Sequence, residues 1–313
     1  MTEKYIYIDQ NVIGDASDGN FTLPVSSDFD WVYSIEHFNE IKRGGDKRFL
    51  TVLSELKARK LELVLDDNFR ITGDAKINQF EDPHHLYEKY IQTVDEVPVD
   101  ENLFIQPLAR MLGADNYDTL TSLPDNLERE LTVLLGTAGL LDTESSARIK
   151  DTVDASRTLV SEYLKDRVPL ELARKGLGTH NGRAGNIAER ENPLEDLWGL
   201  IRDRVGTLTA DQFFGFDPIE KQGYENVPLY LGIVGCYTVL NFVGLRPDEG
   251  LSKVKRIPAV MSDGAHVANA AYCHALISGD RRLCSKARAI YKYKSIGTTV
   301  LHLAPKNELA KPQ

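Results

Sequence analysis

Short apolar strand patterns stand at both ends of this chain, with a long middle segment of helical pattern between them, and they limit the folds that it can adopt. The strand patterns cover Lys4–Ile8, Phe29–Ser34, Leu61–Leu65, Ala275–Ser278 and Thr298–His302. Apolar residues at helical spacing separate neighbouring strands, which gives a β-α-β pattern. Such a pattern requires parallel strands joined by right-handed crossovers. We therefore predict an α/β fold with a central parallel sheet of about five strands.

The middle of the chain has the apolar spacing of amphipathic helices, most clearly over residues 83–94, 125–141, 145–165 and 193–205. A chain of 313 residues exceeds the usual size of one domain and has room for an insertion. We predict an α/β core formed by residues 1–66 and 255–304, a large and mostly helical insertion over 67–254, and a C-terminal tail over 305–313. The uncharged stretch Val227–Leu245 approaches the length of a membrane span, but Pro228, Asn241 and the absence of a flanking basic cluster favour a helix packed inside protein.

Charge and cysteine content exclude several classes of protein. The 47 acidic and 37 basic residues give a net charge of −10, the wrong sign for coating nucleic acid without specificity, so any nucleic-acid contact must be local. Three cysteines without a CxxC pair predict neither a disulfide framework nor a cysteine-based zinc site. The first residues lack the pattern of a secretory signal. We therefore expect a cytoplasmic protein.

Acidic residues follow the predicted strands at the positions where an α/β sheet would gather them. Asp9 ends the first strand, Glu36 and Glu40 lie in the helix after the second, Asp263 opens a later predicted helix, and Asp280 follows the strand that ends at residue 278. The carboxyl ends of parallel strands and the first turns of their crossover helices share one edge of the sheet. We therefore expect Asp9, Glu40, Asp263 and Asp280 to converge there.

Four carboxylates in one small pocket raise one another's pKa values, and a divalent cation would relieve that repulsion. Oxygen ligands favour Mg²⁺ or Mn²⁺ over zinc. These ions commonly serve phosphoryl chemistry, because they activate a water molecule and neutralise charge on the phosphate. The sequence thus predicts a magnesium or manganese site.

The same residues resemble the PIN-domain nucleases. The resemblance consists of four short motifs in order: Asp9-x-Asn11 after the first strand, Ser34 with Glu40 six residues on, a helix of the form D-x-x-h-A-x-A-x from Asp263, and the strand end Ser278-Gly279-Asp280. His266-Val267 departs mildly from the isoleucine-like residue usual before the alanines. The resemblance covers about residues 1–66 and 255–304. The long insertion differs from the compact toxin-type members, so their substrates and antitoxin partners do not transfer to this chain.

The resemblance implies a PIN-like three-layer fold and a metal-dependent endonuclease that cleaves single-stranded or structured RNA, leaving 5′-phosphate and 3′-hydroxyl ends. It implies that Asp9, Glu40, Asp263 and Asp280 hold one or two Mg²⁺ or Mn²⁺ ions and that Asn11 orients Asp9. Glu36, one helical turn from Glu40, is the alternative ligand. Beyond RNA, or single-stranded nucleic acid more generally, an inhibitor protein or a second copy of the chain is a conceivable partner; a membrane is not expected.

Basic residues after Asp280 are candidates for binding the substrate phosphates. Arg281, Arg282 and Lys286 lie in the predicted helix 281–291, and His266 lies one turn from Asp263. Local positive potential of this kind would attract a phosphate backbone. The alternative interpretation is an ordinary solvated basic helix whose N-cap is Asp280.

Two other functions compete with a nuclease. A haloacid-dehalogenase-like phosphatase also has an aspartate after its first strand, but that chemistry requires Asp-x-Asp, and here the third position is Asn11. The other is a catalytically silent PIN-like scaffold in an RNA-processing or defence assembly. The presence of all four acids weighs against the scaffold.

Overall fold

Six strands form one sheet, and the five strands that the ends of the chain predict are parallel to one another. They are β1 (Tyr5–Ile8), β2 (Asp30–Ser34), β3 (Arg59–Leu65), β4 (Ile71–Ile77), β5 (Ala275–Ser278) and β6 (Thr299–His302), in the spatial order β4-β3-β2-β1-β5-β6. The computed structural model of the protein describes residues 3–96, 102–114, 120–137, 139–165, 169–219 and 225–303. The α/β class and the five parallel strands are confirmed.

The strand β4 is the part of the sheet that the sequence did not predict. It pairs antiparallel with β3, inside the region expected to be mostly helical. Its residues alternate between half-buried and exposed and include Gly73, so it lacks the buried apolar run of β1, β2 and β5. The β3–β4 hairpin extends the parallel sheet by one edge strand.

Helices in the first third of the chain follow the strands closely. They are α1 (Gln10–Ser17), α2 (Ile35–Gly44), α3 (Arg48–Glu55) and α4 (Pro83–Glu96). The α2 helix begins at a capping box, in which Ser34 and His37 exchange hydrogen bonds with each other's backbone. Gly45, with φ of 75°, ends α2 in the left-handed conformation that glycine adopts without strain.

The middle segment is otherwise helical where it is described. Its helices are α5 (Asn102–Met111), α6 (Leu123–Thr137), α7 (Thr143–Lys165), α8 (Leu170–Leu177), α9 (Arg183–Ile187), α10 (Pro193–Ile201), α11 (Ala210–Phe214) and α12 (Leu229–Val243), with short 3₁₀ turns at Arg202–Arg204 and Val254–Arg256. Helices lie in all four stretches where the apolar spacing predicts them. Within the described ranges, no helix is long and apolar enough to cross a membrane.

The last two helices are α13 (Ile257–Ala270) and α14 (Arg281–Tyr293). The expectation that Asp263 opens a helix is wrong, because α13 begins six residues earlier. Pro258 lies in the first turn of α13, where its missing N–H and fixed φ are favourable. Asp263 therefore lies within the helix, one turn before His266.

Two apolar cores cover the two faces of the sheet. Tyr7 and Val32 face a core formed with α10 to α14, whereas Ile8 and Tyr33 face a core formed with α1 to α4. The first core includes Leu194, Phe214 and Tyr237 of the middle segment, so that segment packs directly on the sheet. The division into a core and an insertion stays a prediction, and the predicted tail over 305–313 lies outside the described residues.

Candidate active site

Asp9 lies at the carboxyl end of the central strand β1 and is held by three hydrogen bonds. Its Oδ1 accepts from the backbone N–H of Gln10 at 2.8 Å, and its Oδ2 accepts from Asn11 Nδ2 and Ser278 Oγ, both at 2.5 Å. Only 2% of Asp9 is exposed. Burial raises the pKa of Asp9, and the positive charge of His266 opposes that shift. The carboxylate is thus fixed in place by the first residues of α1 and the last residue of β5.

His266 joins Asp9 to Glu40. Its Nε2 lies 3.2 Å from Glu40 Oε2 and 3.8 Å from Asp9 Oδ1, and its Nδ1 lies 2.8 Å from the Tyr7 hydroxyl. Burial alone would lower the pKa of His266, but the charges of Glu40 and Asp9 and the hydrogen bond to Glu40 raise it to about 9. An imidazolium therefore stands between two carboxylates. His266 is fully buried, so it does not lie on the open surface where a substrate contact would be expected.

A second buried histidine, His37, is neutral. Its Nδ1 accepts from the Ser34 N–H at 3.2 Å, and its Nε2 lies 2.7 Å from the Ile8 carbonyl oxygen. Burial and the neighbouring charge of His266 lower the pKa of His37 to about 3. His37 is thus a neutral structural residue that closes the N-terminus of α2 against β1.

Glu40 and Glu36 lie one turn apart on α2 and face different partners. Glu40 faces His266 and Asp9, whereas Glu36 Oε1 accepts a hydrogen bond from Ser262, and Glu36 Oε2 accepts from Asn39 at 3.0 Å. Glu40 is consequently the better placed of the two to share a cation with Asp9.

Asp263 is the least satisfied acid of the site. In the described part of the chain, no donor forms a hydrogen bond or ion pair with its carboxylate. Burial, followed by the negative charges of Asp248, Asp9 and Asp280, raises the pKa of Asp263 well above its ordinary value, against the positive charge of Lys286. Asp263 is only half-buried, so its carboxylate is accessible to a proton or a cation that would take the place of the missing donor.

Asp248 and Lys286 form a buried ion pair that the sequence did not predict. Lys286 Nζ lies 2.6 Å from Asp248 Oδ1 and 2.9 Å from Asn241 Oδ1, and it stands 3.9 Å from the centre of the Tyr237 ring. Lys286 is completely buried, so its ammonium group faces Asp248 rather than an external phosphate. Asp248 follows the uncharged stretch in a loop without strand or helix spacing, so no periodic signal marked it as part of the site.

Asp280 is the N-cap of α14, as one of the two interpretations of the sequence proposed. Its Oδ1 accepts from the backbone N–H groups of Arg282 and Leu283 at 2.6 and 3.0 Å. Its own N–H donates to Ser278 Oγ at 2.9 Å, which links it to Asp9 through one hydroxyl. Arg281 and Arg282 are exposed beside this cap, and Arg282 pairs with Glu249 at 2.8 Å.

Asn11 forms hydrogen bonds with Asp9 and with the loop that follows β5. Its Nδ2 donates to Asp9 Oδ2, and its Oδ1 accepts from the Gly279 N–H at 2.7 Å. A Cβ added to Gly279 would lie 3.2 Å from that oxygen, so glycine allows the close approach. The amide therefore orients the carboxylate of Asp9 and the loop that leads to Asp280.

The acids thus lie near enough to one another for their charges to interact, and His266 and Lys286 supply positive charge beside them. Among the residues that the structure describes, no group of three or more His, Cys, Asp or Glu side chains is already arranged to hold one metal ion. The donor set nevertheless suits a hard cation, since it consists of carboxylate oxygens and includes the unpaired carboxylate of Asp263. Comparisons of the chain with models of protein families, with curated proteins and with solved structures find no match.

Proposed function

We propose that this protein is a PIN-like, metal-dependent endonuclease that hydrolyses phosphodiester bonds of single-stranded or structured RNA. The observation that carries the proposal is the half-buried Asp263 carboxylate, which has no donor among the described residues and is subject to the charges of Asp9, Asp248 and Asp280. Carboxylates concentrated in this way at the carboxyl edge of a parallel sheet favour binding of Mg²⁺ or Mn²⁺. The order of the motifs along the chain supports the PIN-like assignment.

Asp9, Asp263, Glu40 and Asp280 are the residues that would hold the cation. When bound, such an ion supplies polarisation of the phosphate and an activated water molecule. Asn11 and Ser278 fix the orientation of Asp9. His266 balances the charge of Glu40 and Asp9 and can hold a proton between them.

The exposed guanidinium groups beside the site extend the proposal to the substrate. Arg281 and Arg282 stand in the first turn of α14, directly after Asp280. They provide local positive potential on a chain of net negative charge, and this potential would attract the phosphate backbone. Lys286, in contrast, would act through Asp248 in holding the shape of the site.

The experiment is an endonuclease assay on end-labelled single-stranded RNA with Mn²⁺ or Mg²⁺. We expect cleavage that is lost in EDTA and restored by Mn²⁺, with 5′-phosphate and 3′-hydroxyl products. Asp9→Asn and Asp263→Asn should each lower the rate by at least about 100-fold, since even residues behind metal ligands are worth about 10- to 100-fold. Asp154→Asn, in an exposed ion pair on α7, is the matched control and should cut normally. Full activity of Asp9→Asn would refute the metal centre.

A catalytically silent scaffold is the second candidate, and the position of His266 favours it. The imidazolium already neutralises Asp9 and Glu40, which is the task that a cation would otherwise perform. A scaffold would bind RNA or a protein partner without cutting RNA in any metal. The same assay separates the two candidates, because wild-type protein that never cleaves RNA under these conditions supports the scaffold. Hydrolysis of small phosphate esters alone would instead indicate the dehalogenase-like phosphatase.

A further inference from the structure

A cavity of about 510 Å³ adjoins the acidic centre and belongs to none of the functions assigned so far. Its volume lies within the usual range of small-molecule sites. It is lined by residues of five helices, among them Glu36, Asn39 and Arg43 of α2, Tyr90 of α4, Ile105 of α5, Tyr230 of α12 and Met261 of α13. The middle segment therefore contributes part of its wall, through Tyr90 and Tyr230.

The lining combines flat apolar surface with a few polar groups. Tyr90, Tyr230 and Met261 supply ring and thioether surface, and most of the surrounding lining is apolar as well. Asn39 and Glu36 supply the polar groups, and Arg43 and Met261 are exposed to solvent. A planar heteroaromatic ring with polar edges matches this combination, because its faces can pack against tyrosines while its edges form hydrogen bonds.

A continuous series of polar contacts connects the cavity to the acidic centre. The Tyr90 hydroxyl donates to Asn39 Oδ1 at 2.6 Å, and Asn39 donates to Glu36. Ser262 donates to Glu36 and accepts from Arg43 at 2.8 Å, and Arg43 reaches Glu40 at 3.5 Å. A ligand in the cavity would thus lie beside Glu36, one helical turn from the Glu40 that faces Asp9.

We infer that this cavity binds one unpaired nucleobase of a single-stranded nucleic acid whose adjoining phosphate lies at the acidic centre, an inference that rests on the proposed nuclease function. Stacking on aromatic residues tolerates every base, and hydrogen bonds to Asn39 would select among them. Arg43, between the cavity and Glu40, is suited to the phosphate that connects the base to the cleavage point. The middle segment then determines where along an RNA the chain can cut.

The test measures binding and cleavage separately. Fluorescence anisotropy in EDTA measures the affinity for a labelled single-stranded RNA of about eight nucleotides. The same measurement is made for copies of that RNA that each carry one abasic nucleotide. For wild-type protein, loss of the base at one position should weaken binding by roughly 5- to 150-fold, the usual range for one stacked base. Met261→Trp, which fills the cavity, should weaken binding of the intact RNA to the same extent and remove the effect of the missing base.

Leu159→Trp, at an exposed position on α7, is the control for adding a tryptophan and should bind like wild type. Tyr230→Ala is the second variant, and melting curves verify that each variant is folded. Equal affinity for the intact RNA and all base-lacking copies, or no binding of any RNA, would overturn the inference. Cleavage in Mn²⁺ without any effect of a missing base would refute base binding in the cavity and keep the proposed nuclease function. An effect of a missing base on binding, without cleavage, would support base binding and refute the nuclease function.

Discussion

Two buried histidines have rings that lie 4.7 Å apart, yet one is neutral and the other is protonated. The side chains that contact each ring determine its charge. His37 contacts a backbone carbonyl and a backbone N–H, neither of which carries a full charge. His266 contacts Glu40 and Asp9. The pKa of His37 is therefore lowered to about 3, and that of His266 is raised to about 9. Burial is common to both, so the difference comes from the carboxylates that raise the pKa of His266 and from the charge of His266 that lowers the pKa of His37.

His266→Gln tests this charge state through the pH dependence of stability. Because the folded pKa of His266 lies above its unfolded value of about 6.5, its stabilisation is complete below pH 6.5 and is lost as pH rises towards 9. In EDTA, the difference in unfolding free energy between wild type and variant should shrink over that window by at most about 3 kcal/mol. Denaturant melts at several pH values measure it. Parallel curves for the two proteins would show that His266 is neutral.

The ion pair of Lys286 and Asp248 supports a second prediction. Lys286→Met removes the cation and leaves Asp248 buried, which should lower the unfolding free energy by about 3 kcal/mol or more. Adding Asp248→Asn should recover much of that loss, because the uncompensated charge is gone. Thermal and urea melts of the single and double variants test this. A Lys286→Met protein of wild-type stability but weakened RNA binding would instead restore the phosphate-binding role expected from the sequence.

Residue spacing predicted part of the site and could not predict the rest. Asp9, Asn11 and Asp280 follow strands, and parallel strand ends meet at one edge whatever the loops between them do. Asp248 lies in a loop, and its place beside Asp263 depends on how α12 packs against α13. Likewise, the sequence alone indicates that Lys286 is one of several basic residues on a solvated helix. The packing of α14 buries it instead. Tertiary packing carries no short-range pattern in the sequence.

At the scale of elements, the sheet was predictable where strands are apolar throughout. The strands β1, β2 and β5 are buried on both faces, and their apolar runs show this directly. The edge strand β4 alternates with exposed residues, and short patterns of that kind do not stand out from a loop. The start of α13 was missed because Pro258 and Ile257 precede the alanine-rich stretch that gives the clearer signal.

The N-cap of α14 allows capping and catalysis to be separated. Asp280→Asn keeps a good cap, so the unfolding free energy should change by less than about 0.5 kcal/mol, while Asp280→Ala should lose about 1 kcal/mol. Both variants lack the carboxylate charge, so both should cut RNA much more slowly if Asp280 helps to hold the cation. Melting curves and the Mn²⁺ assay are compared on the same preparations. Normal cleavage by Asp280→Asn would reduce this residue to a helix cap.

At the scale of the whole molecule, the middle segment is not one separable unit. Leu194, Phe214 and Tyr237 belong to the core that covers Tyr7 on the sheet, whereas no described residue of α6 or α7 belongs to any of the three apolar core clusters. The residues that flank the α6–α7 hairpin in the chain are also close together, since a Cβ on Gly113 would lie 3.2 Å from the Cβ of Leu170. The hairpin is thus an appendage, and the later helices are part of the fold.

Replacing residues 115–168 with a Gly/Ser linker of about four residues, enough to connect such close ends, should therefore give a folded protein. We expect a cooperative melt and Mn²⁺-dependent cleavage close to that of wild type. Replacing 67–254 in the same way should abolish folding, since it would uncover the sheet face beneath Tyr7 and Val32. Circular dichroism and the cleavage assay distinguish the two deletions. Loss of folding in the shorter deletion would show that the hairpin supports the core.

The central position of β1 also affects how the chain folds during its synthesis on the ribosome. Asp9 receives its hydrogen bond from Ser278, 269 residues later, and β1 lies between β2 and β5. At about 5–20 residues per second, translation separates these two partners by more than about ten seconds. A nascent chain thus has an incomplete site until its final strands emerge. If the proposed nuclease function holds, this delay would protect the messenger RNA and the ribosome from the chain during its own synthesis.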